Sequence, residues 1–190
     1  MTKQTSRGFT LIELLVVISI IGLLSSVVMS SVNTARKRAD DTQRNQIAEE
    51  YRKAIMLSYD TDGGYPFPGT TGTVYCLGDY APTGVGNYST LDVCGGSLTD
   101  TYGVDEDPTL EAAVARFVPS LPVMKTIAFT LSGNSYTYKA PIYMCTADDG
   151  VKCTSAFIRW RIGQPNHKCI KGATLNHLSP DSTLCTLYLD

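Results

Sequence analysis

Charge is missing from one long stretch of this chain. Between Leu14 and Val32 there is no Asp, Glu, Lys or Arg over 19 residues. That absence rules out a solvated surface helix there, and the length exceeds the apolar core of an ordinary secretory signal. It is long enough to cross a bilayer. Proline is absent before Pro66, so the strongest helix breaker is missing from the first third of the chain. Histidine occurs only as His167 and His177. No Gly-x-Ser-x-Gly, phosphate loop or His-Glu-x-x-His is found, so no enzymatic activity is expected. No Cys-x2-Cys pair occurs, which removes the common zinc modules and the thioredoxin-like redox motif. A basic surplus is missing too: 16 basic residues face 18 acidic ones, for a net charge of −2. Nucleic acid is therefore not expected as the main partner.

What is present begins at the N-terminus. A polar leader carrying Lys3 and Arg7 ends at Gly8, and Phe9-Thr10-Leu11-Ile12-Glu13 opens the apolar run. Glu13 stands alone. A carboxylate in hydrocarbon is expensive, and such groups are usually functional. The sequence contains a counter-charge in latent form. A cut after Gly8 would give Phe9 a new α-amine one turn before Glu13, able to pair within the chain or with a neighbour. Losing Lys3 and Arg7 in that cut would move the net charge from −2 to −4. An uncleaved single-pass anchor would leave Glu13 unexplained. An ordinary signal peptide would need a small-x-small cleavage site, and none follows the run.

Gly8-Phe9-Thr10 followed by Leu11 to Leu15 resembles the class III leader junction of type IV pilins and type II secretion pseudopilins. The resemblance covers the first third of the chain closely. It implies that a prepilin peptidase cuts between Gly8 and Phe9 and methylates the new amine. It also implies that Glu13, fifth in the mature chain, pairs with the Phe9 amine of an adjacent subunit during assembly. The implied partners are the peptidase, identical or related subunits in a helical filament, an assembly platform, and the membrane before assembly. The implied location is a single pass through the cytoplasmic membrane with the head outside, then a periplasmic or extracellular filament. Arg36, Lys37 and Arg38 beyond the run balance Lys3 and Arg7 before it, so orientation rests on the cysteines and the resemblance. One departure is the lack of a helix-bending proline near Val28-Met29-Ser30-Ser31. The alternative reading is a monomeric membrane-anchored extracytoplasmic binding module, which needs neither cleavage nor Glu13.

The expected division is a leader at 1–8, a membrane or filament-core helix at 9–32, an amphipathic continuation at 33–59, and a head at 60–190. No Gly or Pro interrupts Asn33 to Tyr59. Ile47, Tyr51, Ile55 and Tyr59, with Ala48, Ala54 and Ser58, make one apolar stripe. Asp40, Asp41, Arg44, Glu49, Glu50, Arg52 and Lys53 are assigned to the other faces. One helix from Phe9 to Tyr59 spans roughly 77 Å, and Asp60 to Gly64 ends it. Residues 60–125 read as a variable region with a long loop and a short helix at 108–118, capped by Asp107. Residues 126–190 read as strands: 126–131 and 135–139 around a Gly133-Asn134 turn, 142–146 and 151–162, and a C-terminal loop with a final strand at 185–189. The fold class is α+β, a long helix on a small antiparallel sheet head.

All six cysteines, Cys76, Cys94, Cys145, Cys153, Cys169 and Cys185, follow the apolar run, as expected for an oxidising compartment. Fifteen connectivities exist. The preferred set is sequential. A hairpin centred on Asp149, with Asp148-Asp149-Gly150 as its loop, would put Cys145 opposite Cys153; the pairs 76–94 and 169–185 rest on proximity. Zinc on His167, Cys169, Cys145 and Cys153 fits no common spacing. Calcium is a weaker expectation. Asp60, Asp62, Asp105, Asp107, Asp148 and Asp149 sit in glycine-bearing loops, and the resemblance implies such a site, but no EF-hand pattern occurs. Asn87-Tyr88-Ser89 matches a glycosylation acceptor.

Overall fold

The computed structural model describes residues 9–78, 94–97, 103–104, 106–131, 133–165 and 167–189. The leader with Gly8, the Asn87 acceptor and Asp105 lie outside these residues. The chain divides into two compact units, Met1–Arg38 and Ala39–Asp190.

Helix α1 runs Leu11–Asp62. It continues three residues past the expected end because the stop is Gly63, not Asp60. Gly63 takes the left-handed conformation (φ +69°), and its N–H donates to the Tyr59 carbonyl at 2.8 Å, closing the last turn in a way a side chain would disfavour. In the first unit the apolar residues from Phe9 to Val32 face solvent.

In the second unit, α1 buries Ile47, Ala48, Tyr51, Ala54, Ile55 and Ser58, the expected stripe. Tyr59 stays exposed and packs its ring on Tyr65 at 4.6 Å between centroids. The stripe also begins earlier than expected. Asp41 and Arg44 are buried, although the sequence pattern assigns them to the outer faces. Their positions are three and four residues apart from one another and from Ala48, so they share its face.

The stripe lies on a five-stranded antiparallel sheet ordered β1-β6-β7-β9-β8. Its strands are β1 (Val74–Cys76), β6 (Ile142–Asp148), β7 (Cys153–Ile162), β8 (Thr174–Ser179) and β9 (Ser182–Leu189). Alternate residues of β7, namely Ala156, Ile158, Trp160 and Ile162, join Tyr143, Cys185, Leu187 and Leu189 in one core with the helix. Each large side chain buried this way contributes about 1.5–3 kcal/mol. A second, four-stranded antiparallel sheet is ordered β3-β2-β5-β4, from β2 (Gly95–Ser97), β3 (Gly103–Val104), β4 (Ile127–Leu131) and β5 (Asn134–Tyr138). The α+β class with a long helix on an antiparallel sheet is the one observed; the second sheet was not foreseen. Helix α2 (Pro108–Ala115) is capped as expected, Asp107 accepting from the Leu110 N–H at 2.8 Å with Pro at its first position.

Three strand details depart from expectation. Leu131 pairs with Asn134, so that turn sits one residue earlier than Gly133-Asn134. The supposed C-terminal loop contains β8, which pairs with β9 through a turn that brings Ser179 opposite Ser182. The β6–β7 register puts Cys145 opposite Ala156 and Cys153 opposite Asp148. The hairpin is not centred on Asp149. Its Oδ1 accepts from the N–H groups of Val151 and Lys152, which makes a wider turn with Gly150 at φ +91°.

Candidate assembly and processing site

The helix start is built by two side chains. Thr10 is the N-cap of α1 and Glu13 is its third residue. The Glu13 N–H donates to Thr10 Oγ1 at 3.3 Å, and the Thr10 N–H donates back to Glu13 Oε2 at 2.8 Å. The Thr10 hydroxyl adds a 2.7 Å bond to the same oxygen. This is a reciprocal capping box, satisfying donors the helix itself cannot. The sequence signal, Thr-x-x-Glu ahead of an apolar run, was legible. The sequence pattern alone presents Glu13 as a charge awaiting a partner; the capping geometry adds Thr10 to it.

Phe9 precedes the cap, outside the helix and 83% exposed. The apolar surface that follows carries hydroxyls, and four of them bond within the helix. Ser19, Ser26, Ser31 and Thr34 donate to the carbonyls of Leu15, Leu23, Val27 and Ser30. Such bonds lower the cost of hydroxyls in lipid or in a packed bundle. The helix is long and apolar enough to cross a membrane, and its apolar window is unburied among the described residues.

A polar seam holds the second half of α1 to the head. Asp41 accepts from the Gly163 N–H at 2.7 Å and from the Gln164 amide at 2.9 Å. Asn45 accepts from the Trp160 indole and donates to the Lys168 carbonyl, both at 2.9 Å. Arg44 donates to the Arg161 carbonyl at 3.4 Å. At the far end of α1, Arg116 grips both carboxylate oxygens of Asp62 and the Ser58 hydroxyl. The guanidinium holds the Asp62 carboxyl below the usual carboxylate range.

Three disulfides join Cys76 to Cys94, Cys145 to Cys153, and Cys169 to Cys185. Cys145 reaches Cys153 although the two are not directly opposite, with Cα atoms 5.8 Å apart. Irregular pairing between Cys145 and Asp148 bends β6, and Tyr65 pairs with Cys153 from the other side. The zinc reading falls, because Cys145, Cys153 and Cys169 are spent in these bonds. Three of the candidate calcium aspartates are engaged otherwise: Asp62 with Arg116, and Asp148 and Asp149 with backbone N–H groups of their own turn. Among the described residues no three metal-binding side chains gather.

Residues 3–29 match the family model of the prokaryotic N-terminal methylation motif. The chain is 54% identical over 39 residues to the type IV wide pilus major component PilA4 of Thermus thermophilus, covering 20% of this chain and 30% of that protein. It is 33% identical over 66 residues to the fimbrial protein EcpC of Eikenella corrodens, covering 35% and 43%. It is 34% identical over 68 residues to the type IV major pilin protein PilE1 of Neisseria gonorrhoeae, covering 36% and 41%. The chain thus spans less than half the length of these relatives. No solved structure matches it.

Proposed function

We propose that this protein is a structural subunit of a type IV pilus-type filament, cut between Gly8 and Phe9 by a prepilin peptidase, methylated at Phe9, and assembled out of the cytoplasmic membrane. The observation that carries this reading is the methylation motif over residues 3–29, set at the head of a helix whose apolar window is unburied among the described residues. A membrane covers it before assembly, and the same segment of neighbouring copies covers it afterwards. Head-to-tail contacts that do not close produce a filament. The relatives are pilus and fimbrial proteins, which favours a pilus over a secretion pseudopilus. The disulfides agree with a head outside the cytoplasm.

Within this filament Glu13 neutralises the α-amine of Phe9 in an adjacent subunit and sets the axial register, as buried charge pairs do in some assemblies. The test is Glu13→Ala in cells that assemble the wild-type chain. The expected outcome is normal insertion and cleavage at Gly8, even if slower, with filaments lost. Normal filaments from that variant would sink the role of Glu13. A chain whose N-terminal peptide is never found beginning at Phe9 would sink the whole reading in favour of the anchored binding module.

A further inference from the structure

The functional reading uses the apolar run and Glu13 but gives no task to the three basic residues that follow. Arg36, Lys37 and Arg38 stand in succession on α1, at the end of the first compact unit, and all three are exposed. Successive helix residues point about 100° apart, so these side chains spread over more than half of the circumference. They form a collar and not a stripe. A collar suits a medium that surrounds the helix, whereas packing on one neighbour uses one face. Upstream of it the surface is of one kind. The 19 residues from Leu14 to Val32 carry no charge, and they are exposed.

Helix geometry sets the distance. Helix α1 is continuous from Leu11 to Asp62. At 1.5 Å per residue, Glu13 and Arg36 are roughly 34 Å apart along the axis. The hydrocarbon of a bilayer is about 30 Å thick, and each headgroup layer adds about 5–8 Å. With Glu13 at one hydrocarbon edge, Arg36, Lys37 and Arg38 fall roughly 4–8 Å past the other edge, inside the opposite headgroup layer.

We propose that Arg36, Lys37 and Arg38 form a binding collar for anionic phospholipid headgroups in the leaflet facing the head, and that this contact fixes how deep the helix sits. The inference rests on the membrane anchoring in the reading above. Phosphatidylglycerol carries a net negative charge, while the phosphate of phosphatidylcholine is offset by its choline, so the collar tells the two apart by charge. The guanidinium groups take phosphate oxygens in bidentate pairs, and the ammonium takes them as a point charge. Removal of the leader takes away Lys3 and Arg7. In the processed chain the basic side chains flanking the apolar run are therefore those of the collar. Held at the phosphates, the collar keeps Glu13 at the opposite edge and out of the hydrocarbon, where a carboxylate is expensive.

The experiment is electron paramagnetic resonance on the full chain in phosphatidylcholine vesicles. A trace of spin-labelled phosphatidylglycerol or spin-labelled phosphatidylcholine is added, and the ratio of the two in the lipid layer immobilised by the protein is read. One contact with a basic side chain favours the anionic lipid about fivefold, and the immobilised layer averages this over both leaflets, so the wild-type ratio should be about two or more. Half-molar salt should bring it towards one. Arg36→Gln/Lys37→Gln/Arg38→Gln keeps good helix formers on an exposed surface and should lose most of the preference. Lys3→Gln/Arg7→Gln should keep at least half of it. Trp160 emission unchanged in every variant checks that the head is intact. A triple variant that selects phosphatidylglycerol as strongly as wild type overturns the inference. So does a wild-type ratio of one, or a preference lost in Lys3→Gln/Arg7→Gln instead. Wild-type chain stripped from the vesicles by alkaline carbonate overturns the membrane anchoring itself.

Discussion

The indole Nε1 of Trp160 donates to Asn45 Oδ1 at 2.9 Å, joining the C-terminal part of β7 to α1. The same amide donates through its nitrogen to the Lys168 carbonyl at 2.9 Å. One side chain on the helix therefore ties down both a core strand and the segment that follows it. Trp160 is fully buried, and Asn45 supplies the acceptor for its N–H.

The first prediction follows directly. Asn45→Ala leaves a buried indole donor unsatisfied, at a cost of about 1–3 kcal/mol. Trp160 is the only tryptophan of the chain, so urea unfolding followed by its emission reads the change at the site itself. A midpoint equal to wild type would mean that water or another group replaces the amide.

Acid should weaken the head through Asp62. Its carboxyl is held low by the Arg116 guanidinium. A lowered folded-state value means that the unfolded chain binds the proton more readily, so the stabilisation is present above the ordinary carboxylate value of about 4 and is lost as pH falls through the lowered one. Arg116→Ala should have a lower Tm than wild type at neutral pH. The gap should close as pH falls below about 3. A gap that persists at low pH would assign the effect of Arg116 to its packing over Phe117 and not to Asp62.

Removing the Cys145–Cys153 bridge by changing both residues to Ala frees a short loop and should cost about 2–3 kcal/mol in the chain-entropy account. Intact mass with and without reductant gives the oxidation state: six protons are gained on reduction of the wild-type chain and four in this variant, as counted from the three bridges.

Gly64 has an ordinary φ, yet a Cβ there would come 2.7 Å from Lys152 Cβ. That atom lies close to the backbone and cannot swing aside. Gly64→Ala should therefore destabilise the head by about 1–3 kcal/mol, as overpacking does. Pairing of Tyr65 with Cys153 brings the two segments this close. A neutral Gly64→Ala would mean that the pairing relaxes without loss.

Much of this protein was legible because it is local. The absence of charge from Leu14 to Val32 and of Pro and Gly from Asn33 to Tyr59 specifies a helix, since helix formation depends on residues three and four apart. The cap of α2 at Asp107, the Thr-x-x-Glu signal at Thr10 and the methylation motif over residues 3–29 are local as well. What only the tertiary structure decided depends on residues far apart in sequence. Asp41 and Arg44 look like surface charges until Gly163, Gln164 and Arg161 are brought to them. Strand β8 is too polar to announce itself and exists because β9 offers it an edge. The Cys145–Cys153 pair is the expected one, but its hairpin register is not. Period-two alternation identifies strands but not the bulge that shifts them, and Tyr65, far earlier in the chain, helps to hold Cys153 in place.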